Sequence, residues 1–148
     1  MSLKAALPLL AAGALIGLAP MLTWFVARPP QDTVTARGVP TAGELWTLIP
    51  LGLFLVVCGV AVRRTPVSSP GAFWAGVGGT VAGVLAAAVS LVAVLARPAT
   101  LVVVEAGRDV ATGAPVEVAT LGPAVAFVGA GLAVIGGLLT ARRSLLPH

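Results

Sequence analysis

The chain has 148 residues, of which 58% are hydrophobic and only 9% are charged, and its mean hydropathy is +1.06. So few charged residues cannot cover the surface of a soluble protein of this size, and the composition therefore favours a protein embedded in lipid. The net charge is +4, but the basic residues flank apolar runs and form no basic stripe with interleaved aromatic residues. The sequence therefore predicts no nucleic-acid partner.

The first predicted span is an apolar run over residues 5–27, which follows Lys4. A transmembrane helix needs roughly 20 apolar residues, and this run meets that length. It continues through Met21, Leu22 and Phe25, beyond the roughly 7 to 15 apolar residues of a secretory signal. Pro20 lies deep in the run, so we expect a kink in the outer part of the helix.

Three further apolar runs cover residues 45–62, 72–96 and 121–141, and outer loops cover residues 28–44 and 97–120. Pro50 and Pro123 lie close to the predicted helix starts, where a missing backbone donor costs little. The sequence predicts a single-domain, all-α integral membrane protein, a four-transmembrane-helix bundle in a lipid bilayer.

Both outer loops contain extended segments. β-Branched residues dominate 101–105, residues 106–109 interrupt the run, and 115–118 resume it. This pattern predicts a hairpin with an irregular loop. A shorter piece, Thr33, Val34 and Thr35, is available to pair with it, since an isolated two-stranded hairpin is marginal in water. We expect a small extracytoplasmic β hairpin or sheet over the bundle, and the sequence does not decide whether the two loops share it.

The basic residues predict the orientation of the chain. Short segments on one side of the predicted spans contain Lys4, Arg63, Arg64, Arg142 and Arg143. The other four basic residues are spread over the two longer loops: Arg28, Arg37, Arg97 and Arg108. Basic residues concentrate in short cytoplasmic segments. The sequence thus predicts a multi-pass plasma-membrane protein with both termini in the cytoplasm.

Four residues are candidates for contacts at the outer face: Trp24, Asp32, Glu44 and Trp46. Trp24 and Trp46 fall at the outer ends of the first and second predicted helices and Trp74 at an inner end, as interfacial indoles do. Thr41 and Glu44 have the spacing of a capping box, which by itself explains this glutamate.

Small residues recur at helical spacing on the third and fourth spans, and glycine pairs at four-residue spacing occur at Gly13–Gly17 and Gly79–Gly83. In a membrane, close backbone approach through small residues is a main source of helix association. We expect the two small-residue faces to pack on each other or against partner helices. The candidate helix-packing residues are Gly76, Gly79, Gly83, Ala87, Gly122, Gly129 and Gly136.

The spans contain no charged residue and no histidine, which disfavours conventional ion-coupled transport. Their hydroxyl groups, at Thr23, Thr47, Thr80, Ser90 and Thr140, are each able to bond their own helix backbone. The one histidine is His148 and the one cysteine is Cys58, so the sequence predicts no serine–histidine–acid set, no cofactor and a buried apolar role for Cys58. Three outer acids, Glu105, Asp109 and Glu117, are more consistent with a solvated surface than with a calcium site.

Three short segments resemble one known family. They are Thr23, Trp24, Phe25 and Val26; Asp32, Thr33, Val34 and Thr35; and Gly43, Glu44 and Leu45. With the four-span plan and the arginine-rich tail, the chain resembles the actinobacterial tryptophan-associated transmembrane proteins, which are named for genes near tryptophan biosynthesis. The resemblance implies a four-helix membrane protein and supplies no catalytic residues.

The residues leave three hypotheses about function open. The first is a noncatalytic accessory or assembly subunit that binds another membrane protein, or a second copy, through its small-residue faces and outer cap. The alternative is a transporter or exporter of a small apolar or aromatic metabolite, which requires a water-accessible cavity. An enzyme acting on lipid, with Glu44 or Asp32 beside Arg28 or Arg37, is the weakest hypothesis because nothing else supports it.

Overall fold

The computed structural model describes residues 3–27, 34–37, 43–98, 102–105, 108–111 and 115–146. Its four α-helices are α1 (Leu3–Leu18), α2 (Leu48–Arg64), α3 (Pro70–Leu95) and α4 (Leu121–Leu145). Short 3-10 turns cover Ala19–Met21 and Gly43–Thr47. The strands are β1 (Thr23–Ala27), β2 (Val34–Arg37), β3 (Val102–Glu105), β4 (Arg108–Ala111) and β5 (Val116–Val118).

Three helical segments are long and apolar enough to cross a membrane, as in a multi-pass membrane protein. They are Gly43–Arg64, Pro70–Leu95 and Leu121–Leu145, with 22, 26 and 25 residues and mean hydropathies of 2.4, 2.2 and 2.1. The first apolar helix, Ala6–Met21, is shorter. The prediction of long apolar helices is confirmed for the second, third and fourth runs, and Pro50 and Pro123 lie in the first turns of α2 and α4 as expected.

Neighbouring helices run in opposite directions. Gly13 of α1 meets Gly52 and Val56 of α2, whereas Leu10 meets Gly59; the residue numbers rise along one helix as they fall along the other. The same antiparallel relationship holds between α3 and α4 and between α4 and α1. Each helix packs on two neighbours in the cyclic order α1, α2, α3, α4. We call the end where α2 and α4 finish, with Arg63, Arg64, Arg142 and Arg143, the basic end, and the opposite end the capped end.

The first helix is shorter than the sequence predicts. The apolar run over 5–27 is helical only to Leu18, then passes through a 3-10 turn containing Pro20 and becomes strand β1. Proline lacks a backbone donor and disfavours helical geometry in the residue before it, so the helix ends rather than kinks. The residues that follow include Thr23, Trp24 and Val26, which favour a strand.

The sheets also differ from the predicted hairpin. Strand β3 pairs with β4, with Val102 opposite Ala111 and Glu105 opposite Arg108. Strand β5 pairs with β1 instead, with Phe25 opposite Val118. A short hairpin closes the smaller loop and loses less chain entropy than pairing across residues 106–114.

Strand β1 joins the two outer loops into one sheet of order β2–β1–β5. Its antiparallel register with β2 places Ala27 opposite Val34, with an irregularity between Thr23 and Phe25. The extended piece predicted around 33–35 therefore does enter a sheet, but its partner is the end of the first apolar run.

The core runs through the bundle and into this sheet, with Leu9, Ile16, Leu55, Trp24 and Phe25 fully buried. The outside of the bundle is also apolar. Exposed leucine, valine, isoleucine and phenylalanine side chains occur on every helix: Leu7, Leu18, Leu53, Phe54, Val57, Val81, Val84, Leu85, Leu91, Val92, Phe127, Val128, Ile135, Leu138 and Leu139. Such an apolar exterior matches a lipid solvent rather than water.

Candidate functional site: helix interfaces, outer grooves and cap

Two of the predicted packing glycines, Gly76 and Gly83, lie in the interface where α3 packs against α4. A Cβ atom added at Gly76 would lie 2.6 Å from the backbone nitrogen of Ala141 and 2.7 Å from the carbonyl oxygen of Gly137. One added at Gly83 would lie 2.9 Å from the carbonyl oxygen of Ala130. The backbones therefore approach more closely than any side chain permits, as small residues allow in membrane helix pairs.

The small-residue face predicted on the fourth helix points mainly at α1, not at α3. A Cβ at Gly129 would lie 2.8 Å from Ile16, and one at Gly136 would lie 2.8 Å from Pro8. Gly79 of α3 also turns inward, because its added Cβ would lie 2.7 Å from Leu9 of α1. The expectation that the two predicted stripes pack on each other was thus only half right.

The residues that α4 presents to α3 include Gly137, which the sequence analysis missed. Its added Cβ would lie 2.6 Å from the carbonyl oxygen of Gly76 and 2.6 Å from the backbone nitrogen of Thr80. The four-residue spacing from Gly137 to Ala141 is a second small-residue pattern that could have found it. On α2, Gly52 was missed in the same way; its added Cβ would lie 2.7 Å from the carbonyl oxygen of Gly13.

Gly122, near the start of α4, packs against the cap, by which we mean the sheet of β1, β2 and β5. A Cβ at this position would overlap the Trp24 indole and lie 2.8 Å from the carbonyl oxygen of Thr23. The Trp24 side chain is fully buried, its Nε1 donates to the carbonyl oxygen of Ala19 at 2.7 Å, and its own carbonyl accepts from the backbone N–H of Ala119 at 2.8 Å. This buried indole closes the bundle above the end of α1. It is not the exposed interfacial anchor that the sequence predicts.

The other outer-face candidates lie apart from Trp24. Trp46 is 55% exposed, in the position expected of an interfacial indole. Glu44 is half-buried in the turn before α2 and its carbonyl accepts from the Thr47 hydroxyl at 2.7 Å. Asp32 and Thr41, and hence the proposed capping box, lie outside the described residues.

Ala87 lines a groove on the outside of the α3–α4 pair. The groove has a volume of about 420 Å³ and is bordered by Gly83, Val84, Ala87, Phe127, Ala130, Gly131, Val134 and Ile135. Gly131 differs from the packing glycines, because an added Cβ would meet nothing within 4 Å. In the described part of the chain, no other segment packs closely against this glycine.

Two more grooves lie between other helix pairs. The first, of about 420 Å³, lies between the start of α2, with Thr47, Pro50 and Leu51, and α3, with Leu85 and Val89. The second, of about 250 Å³, lies between α1 and α2. The linings are apolar apart from Thr47. The buried hydroxyls of Ser90 and Thr140 donate to their own helices, at the carbonyls of Ala86 (2.7 Å) and Gly136 (2.8 Å), as expected.

Cys58 is buried, with 5% of its surface exposed, in agreement with its predicted apolar role. Within the described ranges, no cluster of three or more histidine, cysteine or acidic side chains is arranged to hold a metal ion. Glu105 lies on β3 and Glu117 on β5, in different sheets.

Comparisons with models of known protein families, with curated proteins and with solved structures find no match for this chain.

Proposed function

We propose that this chain is a small noncatalytic membrane subunit that assembles with a transmembrane helix of another membrane protein, using the groove on the outside of α3 and α4. The observation that supports this most is Gly131. A glycine inside a helix costs about 1 kcal/mol relative to alanine, and none of the residues that the structure describes lies close enough to this position to require the missing side chain.

The surrounding residues fit the same proposal. Phe127 and Ile135 lie one turn on either side of Gly131 along α4, and both are substantially exposed. They form ridges around a shallow point where a second backbone can approach, which is the arrangement that drives helix association in lipid. Gly83 and Gly129, which the sequence marks for helix packing within the protein or against a partner, contact neighbouring helices of the bundle. Variants at those two positions would therefore report on folding.

The test compares two variants of the tagged full-length chain in native membranes. Gly131→Leu fills the groove, while Ala88→Leu adds a similar side chain to an exposed position of α3 outside the lining residues. We expect the wild type and Ala88→Leu to form the same crosslinked complex and Gly131→Leu to lose it. An undiminished complex with Gly131→Leu would count against this groove as the interface.

We also propose that the chain belongs with the tryptophan-associated transmembrane proteins and is a four-span protein of the plasma membrane with cytoplasmic termini. The motif residues Trp24, Phe25 and Leu45 are all fully buried. They are thus suited to defining a fold, and this supports a shared architecture without implying a shared reaction.

A further inference from the structure

The basic end of the bundle presents two pairs of arginines. Arg63 and Arg64 occupy the last turn of α2, and Arg142 and Arg143 the last turn of α4. All four side chains are exposed. Because α2 and α4 each pack against both α1 and α3, the two pairs lie at opposite corners of the bundle rather than in one cluster.

Acidic side chains are absent from the sequence around these arginines. The five acids are Asp32, Glu44, Glu105, Asp109 and Glu117, and the short α2–α3 connection and the segments before α1 and after α4 contain none. The four acids in the part of the chain that the structure describes belong to the turn before α2 and to strands β3, β4 and β5. Among the described residues, the four guanidinium groups thus have no acidic side chain beside them, and their positive charge attracts anionic lipid.

One of the two corners also has an exposed indole. Trp74 lies near the start of α3 and is 67% exposed, with its ring edge-on to Phe73 at a centroid distance of 5.4 Å. Gly78, one turn further along the same face, lies against α2, where its added Cβ would be 3.1 Å from Phe54 and 3.8 Å from Cys58. Trp74 therefore lies on the α2 side of α3, roughly level with the last two turns of α2.

We propose that the corner formed by Arg63, Arg64 and Trp74 binds the headgroup of an anionic phospholipid. A guanidinium group matches the oxygens of a phosphate with paired hydrogen bonds, and an indole prefers the depth just below the phosphates. The Arg142–Arg143 pair is followed by exposed Leu145 and Leu146, with no indole in the described part of α4. That pair contributes a general electrostatic attraction to an anionic membrane surface.

The experiment uses the purified full-length chain with Trp46→Phe, reconstituted into symmetric phosphatidylcholine vesicles. Trp74 is then the exposed indole, since Trp24 is fully buried. The quenching of Trp74 fluorescence by brominated phosphatidylglycerol is compared with its quenching by brominated phosphatidylcholine, at equal mole fractions of the brominated lipid. We expect the anionic lipid to bind several-fold more strongly, up to about fivefold for each arginine, with the preference falling as salt is raised.

Matched variants locate the site. Arg63→Gln with Arg64→Gln should abolish the preference, Arg63→Lys with Arg64→Lys should retain part of it, and Arg142→Gln with Arg143→Gln should leave it largely intact. Equal quenching by the two lipids in the parent chain would overturn the proposal. If the two glutamine double variants lost the lipid preference equally, the assignment to this corner would be wrong. If inorganic phosphate reduced quenching by the anionic lipid more than chloride did at equal ionic strength, the assignment to a lipid would be wrong.

Discussion

The indole Nε1 of Trp24 donates a 2.7 Å hydrogen bond to the carbonyl oxygen of Ala19, five residues earlier in the chain. This bond joins strand β1 to the turn that ends α1. It also satisfies the polar atom of a fully buried side chain, and buried polar groups are costly when left unpaired. Trp24 thus links strand β1 to the end of α1, within a core that continues from the bundle into the sheet.

Replacing this indole should destabilise the protein. We expect Trp24→Phe, which removes the indole donor but leaves the Ala19 carbonyl bonded to the backbone N–H of Leu22, to lower the free energy of unfolding by about 0.5–1.5 kcal/mol. Trp24→Ala should lower it by about 3–5 kcal/mol through the added cavity. Unfolding in detergent, followed by circular dichroism, measures both. Trp46→Phe is the matched control at an exposed indole, with an effect within about 0.5 kcal/mol; a similar loss there would contradict the role given to Trp24.

The glycines should separate into two classes. Gly76→Ala forces a methyl group to within 2.6 Å of the Ala141 backbone nitrogen, so we expect it to destabilise the α3–α4 pair. Gly131→Ala meets no neighbour and should stabilise the isolated protein by up to about 1 kcal/mol, through improved helix propensity. Thermal unfolding of the two purified variants measures both effects. Stabilisation by both substitutions would show that helix propensity outweighs packing at Gly76, and destabilisation by both would contradict the open position given to Gly131.

The strand order can be tested by engineered disulfides in a Cys58→Ala background. Val26 and Glu117 are directly opposed in the β1–β5 pair, where Cβ atoms lie about 4.5–5.5 Å apart. We expect Val26→Cys with Glu117→Cys to crosslink on mild oxidation. Val104→Cys with Val116→Cys, which a hairpin with residues 106–114 as its loop would place opposite each other, should remain reduced, because β3 and β5 belong to different sheets. The opposite result would restore that hairpin.

The proposed orientation predicts the reactivity of single cysteines in the same background. Ser68, in the α2–α3 connection at the basic end, and Glu117, at the capped end, are both exposed. In intact cells an impermeant thiol reagent should label Glu117→Cys, and Ser68→Cys should react only after permeabilisation. Neither substitution removes an arginine, so the charge that sets orientation is unchanged. Labelling of Ser68→Cys from outside would reverse the assignment.

Transport of an aromatic metabolite gives a distinct expectation. The described grooves are lined by apolar residues apart from Thr47, and Trp24 fills the capped end of the bundle. Vesicles containing the reconstituted chain should therefore take up labelled tryptophan no faster than empty vesicles. Flux above that background, abolished by a groove-filling variant, would favour a transporter over an assembly subunit.

The sequence alone was sufficient to predict apolar helices over the second, third and fourth runs, the prolines in the first turns of two of them, and the burial of Cys58. These follow from hydropathy, length and the missing donor of proline, which act over one or a few turns. The sequence also marked Gly76, Gly83 and Gly129 as packing residues, because small side chains at helical spacing allow close approach whatever the partner.

Only the tertiary structure decided which surfaces meet. Residues 23–27 are apolar enough to extend a helix, but they form the central strand because Pro20 ends α1 and β2 and β5 supply partners from distant parts of the chain. The same applies to glycine: Gly129 is buried against Ile16 and Gly131, two residues later, is exposed. That difference depends on the rotation of α4 against its neighbours, which local sequence pattern does not specify, and it decides which glycine holds the fold together and which is available to a partner.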